Sequence, residues 1–200
     1  MPQGPSLSTV WAARSSGTRA PGGKGSVAKR RLADALTCCN LAAGIVAVLS
    51  GPGNQARRCD LVLLAALCDT LDGPLARHSG HQRELGAIGD GVADLVSFGI
   101  APAVLVSELG PRDSLSTLFP GLFIAAATWR LVRYGVGPRT TDVFSGLPLT
   151  GAGIVLAAAL RAGASPGSAR RLATALAFSM VSGVPVPSGA EIVRRVGAGA

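Results

Sequence analysis

The feature that most constrains this chain is a succession of six apolar stretches, near Leu32–Ser50, Ala56–Arg77, Gly86–Ser107, Leu115–Tyr134, Leu147–Ala162 and Ala169–Val186. A helix needs roughly 20 mostly apolar residues to cross a bilayer. The fifth and sixth stretches are the shortest. Turn-rich pieces separate the six: Gly51-Pro52-Gly53-Asn54, His78-Ser79-Gly80-His81, Gly110-Pro111-Arg112-Asp113, Gly135 to Gly146, and Gly163 to Ser168. The pattern predicts an all-α, polytopic membrane protein with about six transmembrane helices. Composition agrees, because 48% hydrophobic and 15% charged residues are too apolar for an ordinary soluble surface. Small residues are abundant within the stretches, and in lipid they let helices approach closely.

The net charge of +8 would fit nucleic acid if it were spread over a soluble face. Instead, the basic residues cluster between the apolar runs, where they set topology and meet anionic lipid. No nucleic-acid partner is expected; the bilayer is. With both termini cytosolic, thirteen basic residues fall on that side and six on the other. Residues 1–31 are rich in Gly, Ser, Pro, Ala and Arg and have no apolar core of signal-peptide length. They are expected to form a disordered basic cytosolic tail, followed by a membrane domain over 32–188 and a short C-terminal tail over 189–200. Cys38, Cys39, Cys59 and Cys68 form no CxxC pair and read as small buried hydrophobes without disulfides.

Four of the eleven acidic residues, Asp69, Asp72, Asp90 and Asp94, fall inside the second and third stretches. Each such charge costs about 2.5–3.5 kcal/mol on insertion scales. Four of one sign need neutralising by protons, arginines or a metal. Asp69, Asp72, Gly73 and Ala76 stand on one helical face, as do Gly86, Asp90, Asp94 and Ser97. Both carboxylate pairs lie near the same membrane surface. Facing pairs make an oxygen-rich cage suited to Mg²⁺ or Mn²⁺. Intramembrane acids also mark ion and proton pathways, so a divalent-cation or proton transporter is the rival reading from another class.

The run Asp69-Thr-Leu-Asp72-Gly73-Pro-Leu-Ala76-Arg77, then eight residues, then Gly86-Ala-Ile-Gly-Asp90-Gly-Val-Ala-Asp94 resembles the CDP-alcohol phosphatidyltransferase signature at all eight of its positions. Within that family the chain is most similar to the phosphatidylserine synthase branch. The similarity lies in Asp94-Leu-Val-Ser97-Phe98-Gly99-Ile-Ala101-Pro102-Ala103, in Trp129-Arg130-Leu-Val-Arg133-Tyr134, in Phe144-Ser-Gly146-Leu147-Pro148, and in Ser182-Gly-Val-Pro185-Val-Pro187-Ser188. Two positions depart from the branch: Gly135, where Asn is usual, and Thr150, where a second Pro is common.

The resemblance implies a six-helix membrane enzyme, multi-pass in the cell membrane, with its active site facing the cytoplasm. It implies transfer of a phosphatidyl group from CDP-diacylglycerol to serine, release of CMP, and dependence on Mg²⁺ or Mn²⁺. Sister transferases take glycerol 3-phosphate or an inositol phosphate instead. By resemblance Asp69, Asp72 and Asp90 hold metal, and Asp94 is the candidate general base and a further metal ligand. Arg77 would meet diphosphate oxygens, while Gly73, Ala76 and Gly86 would border the cytidine. Arg130 and Arg133, at i and i+3, suit a phosphate or carboxylate and equally suit positive-inside anchoring. Thr37 and Asn40 are placed either to bond the nucleotide or to make helix–helix hydrogen bonds. His78 and His81 read as a solvated loop. Oligomeric state is left open, a homodimer included.

Overall fold

In an apolar run the backbone polar groups have to be satisfied within the segment, which selects helices. The computed structural model describes residues 24–78, 84–110, 113–136, 144–182 and 185–186. Among them are α1 (Lys24–Leu49), α2 (Gln55–His78), α3 (Glu84–Asp94), a π-helical segment (Leu95–Ile100), α4 (Ala101–Ser107), α5 (Ser114–Val136), α6 (Leu149–Arg161) and α7 (Pro166–Val181). Two two-residue strands, β1 (Phe144–Ser145) and β2 (Pro185–Val186), pair antiparallel.

The third stretch forms one long rod, but its helix type changes in the middle. Pro102 stands in the first turn of α4 and has no N–H to give to the preceding turn. The wider π turns before it absorb that loss, and the Ala101 N–H reaches back to the carbonyl of Val96. The segment sits at the centre of the bundle. It touches α1, α2, α5 and α6, and Ser97, Phe98 and Gly99 within it are buried. Glycines receive it: a Cβ at Gly44 of α1 would lie 2.3 Å from Ser97 Oγ, and one at Gly153 of α6 would lie 2.6 Å from Phe98 Cβ.

α1 packs along α2, α5 along α7, and α2 along α6. The core between them is made largely of small side chains such as Ala43, Ala47, Ala65, Ala127, Ala157 and Ala173. Large apolar side chains point outward, among them Leu49, Leu67, Ile88, Leu118, Trp129 and Phe178. An apolar exterior over a small-residue core is the arrangement a lipid solvent selects. Two helical stretches, Arg31–Leu49 and Ile88–Ser107, are long and apolar enough to cross a membrane, and Leu149–Arg161 is a shorter apolar helix.

Several boundaries differ from those the sequence predicts. α1 starts at Lys24, so Arg31 and the basic residues before it occupy its first turns. α7 starts at Pro166, capped by Ser165, whose Oγ accepts from the Ser168 N–H. It stops at Val181, where Ser182 turns extended, and residues 185–186 form a strand where the sequence predicts helix. Cys59 and Cys68 are buried as expected. Cys38 and Cys39 are exposed, because their face of α1 points away from the bundle.

Candidate active site

Alternating helix directions give the bundle two ends. Thr37 and Asn40 on α1, Asp69 on α2, Asp90 and Asp94 on α3, and Thr150 at the start of α6 meet at one end. The carboxyl groups of Asp69 on α2 and Asp94 on α3 are close neighbours, and Asp90 is near enough to act electrostatically on both. Exposure falls along α3: Asp90 is exposed and Asp94 is half-buried.

Each carboxylate has a neutral donor from another helix. Thr37 Oγ1 donates to Asp90 Oδ1 at 2.9 Å. Asn40 Nδ2 donates to Asp94 Oδ1 at 3.2 Å. Thr150 Oγ1 donates to Asp69 Oδ2 at 3.3 Å. Thr37 and Asn40 therefore make helix–helix hydrogen bonds. Ser97 Oγ, inside the π segment, donates to the main-chain carbonyl of Asn40 at 2.9 Å. The Asn40 side chain is 1% exposed, and its Oδ1 has no hydrogen-bond partner among the described residues.

The remaining motif residues are placed by their backbones. Asp72, Gly73, Ala76 and Arg77 occupy the last turns of α2 and Gly86 the first turn of α3; their side chains lie outside the described residues. His78 ends α2, and His81 lies outside the described residues. Arg130 and Arg133 stand near the C-terminus of α5, at the end of the bundle that holds the aspartates; Arg130 is buried and Arg133 exposed.

Like-charged carboxylates close together repel, so a cation among them is a fitting counterion. The donors are all oxygen, which suits Mg²⁺ or Mn²⁺. Among the described residues no three acidic, His or Cys side chains converge on one ion position. A cation would therefore draw on Asp72, or bring Asp90 inward from its bond to Thr37.

Sequence reasoning overlooked two contributors. The only sequence signal for the π segment is Pro102, two residues beyond its C-terminal end in the first turn of α4. Thr150 stood out solely as a departure from the family pattern, and its partner lies 81 residues away.

Comparison with known proteins points the same way as the motif. The sequence profile of the CDP-alcohol phosphatidyltransferase family matches residues 30–184. The chain is similar to an archaetidylserine synthase of Methanothermobacter thermautotrophicus, 31% identical over 161 residues, covering 78% of this chain and 69% of the relative. It is similar to a CDP-diacylglycerol–serine O-phosphatidyltransferase of Methanocaldococcus jannaschii, 30% identical over 125 residues, covering 62% and 58%. The enzyme of the same name from Saccharomyces cerevisiae is 30% identical over 135 residues, covering 59% and 49%. The chain thus spans about half to two thirds of the length of these relatives.

Proposed function

This chain belongs to the CDP-alcohol phosphatidyltransferase family, and we propose that it transfers a phosphatidyl group from CDP-diacylglycerol to the hydroxyl of L-serine, releasing CMP. The observation that carries the reading is the meeting of Asp69, Asp90 and Asp94 at one end of an apolar bundle. Serine as acceptor is supported by relatives whose names specify serine transfer.

In the reaction, the serine hydroxyl oxygen bonds to the phosphorus that carries diacylglycerol. The bond from that phosphorus to the bridging oxygen breaks, and CMP leaves with that oxygen. The hydroxyl proton passes to Asp94. Phosphoryl transfer needs alignment and charge neutralisation more than covalent participation by the protein. Asp69, Asp72 and Asp90 would hold a divalent cation, which when bound neutralises the diphosphate. Arg77 would meet the diphosphate oxygens at the end of α2. Gly73, Ala76 and Gly86 would leave room for the cytidine. Arg130 or Arg133 would take the serine carboxylate in a planar fork and aim its hydroxyl at Asp94.

The reading includes six antiparallel passes through the membrane: α1, α2, the α3–π–α4 rod, α5, α6 and α7. The outward-facing apolar side chains support it. α6, at 13 residues, rises only about 20 Å, less than a ~30 Å hydrocarbon core. A short helix there recesses the carboxylates and admits water-soluble serine from one side. The excess of basic residues at that end supports a cytoplasmic orientation.

The test is competition in detergent micelles with serine, glycerol 3-phosphate and inositol phosphate at equal concentration, with CDP-diacylglycerol as donor. Phosphatidylserine should dominate the lipid products, with CMP released in equal amount. Another dominant lipid would overturn the serine assignment while keeping the family chemistry. Metal flux without CMP formation would favour the transporter reading.

A further inference from the structure

We infer that Asn40 is a positioning residue for Asp94, held in place by Ser97 of the π segment; the inference rests on the reading of Asp94 as general base. Four observations converge. Asn40 is 1% exposed, and its Nδ2 donates to Asp94 Oδ1. Its main-chain carbonyl accepts from Ser97 Oγ, and Ser97 lies one turn beyond Asp94 on the same rod. The absence of a side chain at Gly44 lets Ser97 come this close to α1, since a Cβ there would lie 2.3 Å from Ser97 Oγ. Finally, Asn40 Oδ1 is buried with no hydrogen-bond partner among the described residues, so within them the amide is not a fully satisfied structural group.

These contacts close a ring. It runs from the Asn40 amide to the Asp94 carboxylate, along the rod to Ser97, and back through the Ser97 hydroxyl to the Asn40 backbone. A carboxylate on a helix side chain has rotamer freedom of its own. Tying one oxygen to a donor on α1 fixes which oxygen faces the incoming hydroxyl. The π turns matter here because they set the angular offset between Asp94 and Ser97, and the ring depends on both reaching Asn40. Burial of Asn40 also separates this role from contact with the nucleotide.

The experiment is a double-mutant cycle in the full chain. Asn40→Leu keeps the branched shape and removes the donor together with the unpartnered oxygen. It should lower kcat by ~10–100-fold, the scale of a misplaced reacting group, and leave KM for CDP-diacylglycerol within about twofold. Its thermal midpoint without added divalent metal should match or exceed that of the parent, which a purely structural role would not give. In an Asp94→Asn background the same substitution should change kcat by less than about threefold, because its effect passes through Asp94. Equal losses in both backgrounds would overturn the inference, as would unchanged kcat with raised KM. Should Asn40→Leu fail to fold, Ser97→Ala decides: lowered kcat that vanishes in the Asp94→Asn background supports the ring, and full kcat overturns it. Full activity of Asp94→Asn alone would instead sink the base assignment, so the two failures are distinguishable.

Discussion

The two ends of the bundle handle carboxylates in opposite ways. At the far end, Glu108 is ion-paired with Arg58, Asp60 with Arg161 at 2.8 Å, and Asp113 with Arg170 at 3.2 Å. At the near end, the described hydrogen-bond donors to Asp69, Asp90 and Asp94 are two hydroxyls and an amide. The first arrangement neutralises charge within the chain. The second orients these three carboxylates through neutral donors, which suits a site that receives its cation and its cationic substrate group from outside. The far end should therefore govern stability, and the near end chemistry.

The largest expected effect breaks the near end. Asp69→Ala, Asp72→Ala or Asp90→Ala should each reduce transfer to background. Each should also abolish the rise in thermal midpoint on adding Mn²⁺, since ligand-linked stabilisation requires the site. Without metal, Asp69→Ala should leave the midpoint level or raised, because a repelling charge beside Asp94 is gone. Full transfer activity in any of the three would remove that residue from the site.

The next effect breaks the far end and should have the opposite signature. Arg58 is 1% exposed. Its Nε donates to the Ala47 carbonyl at 2.6 Å in the last turn of α1, and its guanidinium pairs with Glu108 just beyond α4. One side chain thus caps α1 and ties it to α2 and α4. Arg58→Met would strand the carbonyl and the glutamate, and removing one partner of a buried pair costs about 3–5 kcal/mol. The thermal midpoint should fall markedly while kcat at low temperature stays within about twofold. The other two pairs are more exposed and should matter less. A kcat loss larger than the stability loss would erase the division between the ends.

The sequence disclosed different things for different reasons. Helix positions came from the length of apolar runs, which is a local property. α2 and α5 accordingly differ by only one or two residues from the stretches Ala56–Arg77 and Leu115–Tyr134. The carboxylates stood out because Asp69 with Asp72, and Asp90 with Asp94, carry helical spacing within apolar surroundings. In the sequence Arg58 counts only among the six basic residues on the far side, and no local pattern could reveal that its partners are Ala47 and Glu108. The end of α7 was misplaced because the apolar character continues past Val181, while β1 supplies an alternative partner for residues 185–186. The π turns were hidden for the same reason: nothing in composition separates them from the helices they join.

The smallest effect sharpens the comparison from within the near end. Thr150 enters it from α6, and its hydroxyl donates to Asp69 Oδ2 at 3.3 Å, a long bond by hydrogen-bond standards. If these neutral donors act only by orienting carboxylates, removing one should weaken metal use without abolishing transfer. Thr150→Val keeps the branched shape and deletes only the donor. Groups that orient metal ligands typically contribute 10–100-fold to affinity, and a bond this long belongs at the low end, about tenfold or less. The Mg²⁺ concentration for half-maximal activity should rise by that factor, with kcat at saturating Mg²⁺ and the metal-free midpoint nearly unchanged. An unaltered Mg²⁺ requirement would show that Asp69 is oriented by α2 alone and that the departure at position 150 is neutral. A collapse of kcat at saturating Mg²⁺ would mean that the hydroxyl meets the substrate directly, and the near end would then be more than a set of oriented ligands.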